Sequence, residues 1–105
     1  MPKVADAPSP LRFPIVLEAR MEARRKFLTA LQDMPPDDPE TLAFTVAALI
    51  ETHFDSKNIA QLVGADRTTV IRWAQGQSVP RSPGFRKWAT ETLMEALRSS
   101  LEEAA

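Results

Sequence analysis

Five side chains between residues 67 and 75 combine hydrogen-bond donors with one aliphatic group at helical spacing. Arginine and glutamine donate hydrogen bonds to base edges in the major groove, threonine reaches bases or phosphates, and an aliphatic side chain contacts a thymine methyl group. Placed on a helix, these residues share one face, because positions three and four apart lie one above the other: Arg67, Thr68, Ile71, Arg72 and Gln75. The pattern predicts a helix that recognises bases in duplex DNA.

A second set of residues indicates how this helix is positioned. Ala60 comes four residues before Gly64. Val70 follows six residues after that glycine, and Trp73 three residues later. A small residue lets two crossing helices approach closely, and glycine adopts the positive φ that reverses the chain. The spacing predicts two short helices in a helix-turn-helix arrangement, with Val70 and Trp73 facing inward.

Short polar residues are predicted to mark the ends of both helices. Asp55 or Ser56 suits the N-cap of the first helix and Asp66 that of the second, because their side-chain oxygens accept backbone N–H groups. Gly76 suits the position that follows the second helix.

Basic side chains are concentrated around the same two helices. Residues 56–88 hold six basic side chains and one acidic one, a local net charge of +5, whereas the remainder holds seven basic and thirteen acidic ones, a net charge of −6. Local charge governs the attraction to phosphates more than the total of −1 does. We expect these polar and basic side chains to contact the DNA backbone: Ser56, Lys57, Asn58, Thr69, Arg81, Arg86 and Lys87.

Residues 55–80 resemble the helix-turn-helix of the lambda-repressor/Cro superfamily, the xenobiotic-response-element-type regulators. The match runs in order and spacing from Ile59 to Trp73 and includes Gly76 and Pro80, about a quarter of the chain in all. The resemblance implies an all-α fold and a set of residues that face the groove: Asp66, Arg67, Thr68, Ile71, Arg72 and Gln75.

Two positions depart from the family's pattern. Ser56 stands where the family often has a glutamine that contacts phosphate and base, so that contact does not transfer directly. Ala74 stands where the family often has glutamate, which concerns local packing or capping. The segment 14–34 does not match the family core.

The rest of the chain predicts three further helices and no strand. Apolar residues recur at helical spacing over residues 14–33, 39–53 and 83–103, and the proline-rich residues 34–39 break the chain between the first two. Residues 1–13 contain three prolines and little periodicity, so we expect a flexible N-terminal arm.

The first of these helices carries a basic face. We interpret it as a solvent-exposed face that pairs with Glu18 and Glu22, in preference to a DNA contact. Its members lie within seven residues of one another: Arg20, Arg24, Arg25 and Lys26.

The last helix is longer than its packing requires. Leu93, Leu97 and Leu101 are candidates for contact with a second copy of the chain, the alternative being that they pack only on the N-terminal helix. Since DNA readers of this type usually bind as dimers, we expect a homodimer.

Composition argues against an enzyme. The 105 residues suit one domain and include no cysteine, and the single histidine, His53, has no partner for a zinc site. The three glycines are too scattered to cradle a phosphate. Trp73 and Trp88 read as core anchors. We therefore expect no catalytic site, no metal and no cofactor.

Together these features predict an all-α domain of about five helices over residues 14–105, which binds double-stranded DNA sequence-specifically as a bacterial or phage transcriptional regulator. With no apolar run long enough to span a membrane and no signal-peptide core, we expect a cytoplasmic, nucleoid-associated protein. Two alternatives stay open: a helix-turn-helix antitoxin or protein-interaction adaptor, and a DNA-recognition factor of a recombination, replication or packaging system.

Overall fold

A computed structural model describes residues 12–104, with side-chain surroundings for residues 18–103. The described chain is all-α, as expected, and contains five helices: α1 (Arg12–Gln32), α2 (Pro39–Glu51), α3 (Ser56–Val63), α4 (Arg67–Ala74) and α5 (Pro83–Ala104). Within these residues, no helix has the length and the apolar character needed to cross a membrane.

The first helix begins at Arg12, two residues before the predicted start at Pro14. Proline is tolerated in the first turn because the N–H groups there have no acceptor within the helix. Residues 1–11, which make up most of the predicted N-terminal arm, lie outside the described residues.

Helix α2 lies at the centre of the molecule and contacts α1, α4 and α5. This is the consequence of its apolar residues on most sides, which leave no broad polar face for solvent. The core around it is formed by buried side chains of all five helices: Leu31, Leu42, Val46, Leu49, Ile59, Val63, Val70, Trp73, Ala89, Leu93 and Leu97.

Helices α2, α3 and α4 are each followed by a residue with left-handed backbone. Gly64 has φ 68° and Gly76 has φ 77°, as their predicted roles require. After α2 the same conformation is adopted by His53, with φ 72°. There the Phe54 N–H donates to the Leu49 carbonyl at 2.9 Å and the His53 N–H to the Ile50 carbonyl at 3.0 Å, the pattern of a Schellman motif. Helix α2 therefore ends two residues earlier than predicted.

The basic face of α1 was predicted to be exposed to solvent and paired with acidic residues. This is confirmed for Arg25 and wrong for Arg24. Arg25 pairs with Glu22 at 2.8 Å on the surface. Arg24 instead is buried, donates from Nη2 to the Thr52 carbonyl at 2.7 Å and stacks 4.3 Å from the ring centre of Phe54. Burial lowers the pKa of Arg24, and the neighbouring charge of Arg20 lowers it further. This side chain ties α1 to the connection between α2 and α3.

The proposed role of the α5 leucines in contacting a second copy is wrong for two of them. Leu93 and Leu97 are completely covered by the chain's own core, and only Leu101 is partly accessible. They pack inside the monomer because α5 contacts α1, α2 and α3.

Candidate nucleic-acid interface

Helices α3 and α4 are joined by a connection of three residues and pack against each other. The Ala65 N–H donates to the Ala60 carbonyl at 3.0 Å across the turn, so the chain reverses immediately at Gly64. Ala60 is 4 % exposed, while Val70 and Trp73 are buried on the inner face of α4. The small side chain at residue 60 thus lies in the core of the corner, as its spacing predicted.

Aspartates cap both helices. The Asp55 carboxylate accepts the Lys57 N–H at 3.0 Å, and the Asp66 carboxylate accepts the Thr69 N–H at 2.7 Å. The backbone N–H of Thr69 is the main cause that lowers the pKa of Asp66, followed by the Thr69 hydroxyl, and nearby Arg72 acts in the same direction. Asp66, placed by resemblance among the groove-facing residues, therefore has its carboxylate engaged in holding the start of α4.

The outward face of α4 carries the remaining predicted base-reading residues. Arg67, Thr68, Arg72 and Gln75 are exposed, and Ile71 between them is half-buried. They lie together because Val70 and Trp73 direct the opposite face of the helix into the core.

Arg67 is held by a contact that the sequence did not reveal. Its Nε donates to the Ser56 hydroxyl at 2.8 Å, which joins the first residue of α4 to the first residue of α3. Across residues 12–104, the hydrogen bonds of this guanidinium involve no terminal nitrogen. The signal available in the sequence was that both residues begin helices joined by a tight turn.

The residues predicted to contact the DNA backbone separate into two groups. Lys57, Asn58, Arg81 and Lys87 are exposed and chemically available. Ser56 and Thr69 are half-buried at the beginnings of the two helices.

Arg86 has a different environment from the exposed cations. Its Nε donates to the Asp37 carbonyl at 2.7 Å, and its Nη1 donates to the carbonyls of Pro80 and Arg81 at 2.8 Å each. The side chain therefore links the loop before α2 to the loop before α5, with the donors of Nε and Nη1 used within the chain.

Three aromatic rings pack in series from α4 to α5. The rings of Trp73 and Phe85 are 6.1 Å apart between centres, and those of Phe85 and Trp88 are 5.6 Å apart. Trp73 is a core residue, as expected. Trp88 is 49 % exposed, so its interpretation as a core anchor was wrong.

Comparisons with protein-family models, with curated proteins and with solved structures found no match to this chain. A functional proposal therefore depends on the residues and their geometry.

Proposed function

We propose that this chain is a sequence-specific double-stranded-DNA-binding protein in which α3 and α4 form a helix-turn-helix and α4 enters the major groove. It acts as a bacterial or phage transcriptional regulator. Two copies form a homodimer whose α4 helices reach half-sites about one helical turn apart on an operator. The resemblance of residues 55–80 to lambda-repressor/Cro regulators supports the same proposal.

The observation that carries the proposal is the tethered, exposed Arg67. An arginine held by one nitrogen loses less side-chain freedom on binding than a free one. Its two terminal nitrogens remain available for the paired acceptors of guanine, O6 and N7. Thr68, Arg72 and Gln75 lie exposed on the same face and add further donors.

The surrounding charges give this face an electrostatic preference for nucleic acid. Lys57, Arg81 and Lys87 are exposed and belong to the segment of net charge +5 that contains the reading helix. These cations bind phosphates and set the register of α4 on the duplex, while the acidic remainder of the chain limits indiscriminate coating of DNA. Ile71 packs at the base of the reading face and offers an apolar contact to a thymine methyl group.

The test is selection of bound fragments from a random DNA pool, followed by affinity measurements on the selected motif. Arg67→Ala and Arg72→Ala each should weaken binding by about 1–3 kcal/mol and relax the preference at one base position, because each removes a base-edge donor. A palindromic motif is expected, since a twofold dimer reads two inverted half-sites.

Lys26→Ala is the matched control, because it removes an exposed cation from α1, outside the positive segment. It should leave affinity and motif unchanged. Ser56→Ala should reduce discrimination at the base read by Arg67 while leaving the salt dependence of binding unaltered. The proposal is refuted if no motif emerges, or if Arg67→Ala and Lys26→Ala bind the selected site equally well.

A further inference from the structure

An apolar groove lies between α3 and α5, and its lining includes none of the residues assigned to DNA, although Lys87 directly precedes Trp88. Among the described residues, Leu62 and Trp88 are the large hydrophobic side chains that stay exposed, at 44 % and 49 %. Both line the same groove of about 500 Å³, whose other residues include Thr92, Ala96 and Ser99. Exposed apolar side chains that share one concave site are typical of an interaction surface, whereas single scattered ones are common on any protein.

The groove is preorganised. The Trp88 ring packs against Phe85, which in turn packs against the buried Trp73, so the indole is held from the core side. Thr92, Ala96 and Ser99 project little from α5, which leaves room beside the indole for a large side chain of another molecule. A rigid aromatic wall next to small residues is the arrangement that accommodates an anchoring side chain at low entropic cost.

Charge around the groove indicates what kind of molecule fits. Glu91 and Glu95 line the groove and are exposed. Glu95 forms an ion pair with Arg98 of the same helix, whereas the ion pairs among the described residues do not include Glu91. Residues 89–103 contain four acidic side chains and one basic one, a net charge of −3. Phosphates are repelled by such a surface, so base stacking on Trp88 is disfavoured.

The same charges disfavour a symmetric contact between two copies through this groove. A twofold interface places the same patch of both copies together, so two surfaces of net charge −3 that carry Glu91 and Glu95 would face each other. Like charges in an interface cost affinity, whereas cationic side chains opposite these carboxylates gain it.

We propose that the groove binds an amphipathic, basic helix of a protein partner, with a large aliphatic or aromatic side chain inserted between Leu62 and Trp88 and lysine or arginine facing Glu91. This is the helix-in-groove mode of recognition. Leu62 lies four residues beyond Asn58, the last residue of α3 assigned to the DNA backbone, about 6 Å along the axis, so the partner's anchor and the DNA contacts lie on successive turns of that helix.

The probe is a synthetic amphipathic helix of leucine and lysine, and the matched probe replaces every lysine with glutamate. Binding is followed in the full chain by ¹H–¹⁵N NMR. The Leu/Lys peptide should shift the Leu62 and Ala96 amides and the Trp88 indole N–H, while the Trp73 indole N–H stays in place. The Leu/Glu peptide should bind at least about tenfold more weakly.

Leu62→Ser is the informative variant, because it removes an exposed side chain and leaves the aromatic packing intact, whereas loss of Trp88 would disturb Phe85. It should lower the affinity for the Leu/Lys peptide by about tenfold, the effect typical of an anchoring residue. Gln61→Ser, an exposed neighbour on α3, is the matched control and should change nothing. An unchanged thermal midpoint in both variants shows that folding is preserved.

Three outcomes overturn the proposal: equal affinity for the two peptides, shifts on α4 in place of the groove, or equal binding by the Leu62→Ser and Gln61→Ser variants. Self-association that Leu62→Ser abolishes would assign the groove to a second copy and overturn it as well. Each result is independent of DNA binding, which is measured separately with the selected motif.

Discussion

At the scale of single residues, His53 has the same left-handed backbone as Gly64 and Gly76 but carries a side chain. An L-residue with a side chain pays about 1–2 kcal/mol for left-handed backbone, which glycine avoids. Glycine loses about 0.5–1 kcal/mol more than other residues through its larger unfolded-state entropy. At the φ of 72° observed for His53, the cost of left-handed backbone exceeds the entropy cost of glycine.

We therefore expect His53→Gly to raise the free energy of unfolding by about 0.5 kcal/mol. Urea denaturation measures this as a higher midpoint with an unchanged slope. Gly64→Ala is the converse change and should lower stability by about 0.5–1 kcal/mol. No atom lies within 4 Å of a Cβ at Gly64, so the loss there reports backbone strain alone. A less stable His53→Gly variant would contradict this account.

The N-cap of α4 predicts a dependence on pH. Because its hydrogen bonds lower the pKa of folded Asp66, this carboxylate contributes stability above its unfolded pKa of about 3.9, and the contribution is lost as pH falls through the folded pKa. The thermal midpoint of Asp66→Ala should therefore lie below that of the wild type at neutral pH, and the difference should shrink in acid. A difference that is constant down to the lowest pH at which the chain folds would exclude this role.

At the scale of helices, the buried threonine hydroxyls of α2 and α5 differ in whether they have a hydrogen-bond partner. The Thr45 hydroxyl donates to the Thr41 carbonyl at 2.7 Å within α2. In the described residues the buried hydroxyls of Thr41 on α2 and Thr90 on α5 have no partner. Burying a hydroxyl without a hydrogen bond costs about 1–3 kcal/mol.

Thr90→Val keeps the shape of the side chain and removes the unpaired hydroxyl, so we expect it to stabilise the fold by about 1 kcal/mol. Thr45→Val is the control. The same replacement there also removes a hydrogen bond, so it should not raise the free energy of unfolding. Chemical denaturation of both variants makes the comparison. Equal effects of the two replacements would show that hydrogen bonding does not distinguish the sites.

At the scale of the whole molecule, α1 stabilises the domain from outside the reading unit. It contacts α2 and α5, and its Arg24 reaches the connection that leads into α3. Leu31 on α1 is 1 % exposed in the core, while the next residue, Gln32, is exposed. The helix therefore contributes to the core, and under the proposed function it makes no base contact.

Leu31→Ala should lower the free energy of unfolding by about 2–5 kcal/mol, because it removes core contacts and leaves a cavity. Gln32→Ala should have almost no effect. The affinity of the folded Leu31→Ala protein for the selected DNA motif, measured at a temperature below its unfolding transition, should equal that of the wild type. A specific loss of affinity in the folded variant would show that α1 takes part in recognition.

The helix boundaries and helix faces that depend on residues close in the chain could be predicted from the sequence. The boundaries of α3 and α4 followed from Asp55, Asp66, Gly64 and Gly76, because a cap involves backbone groups within a few residues. The inward positions of Ala60, Val70 and Trp73 followed from helical periodicity. The sequence by itself thus determined the five helices and which face of α4 points outward.

Only the tertiary structure decided how the faces of the long helices are used. Arg24 is buried against Phe54, Leu93 and Leu97 face the core, and Trp88 stays half-exposed beside Leu62. The tether from Ser56 to Arg67 joins residues eleven positions apart. Periodicity reports that a helix has an apolar stripe, but the part of a broad stripe that is covered depends on which neighbours reach it, and those contacts are made between residues distant in the chain.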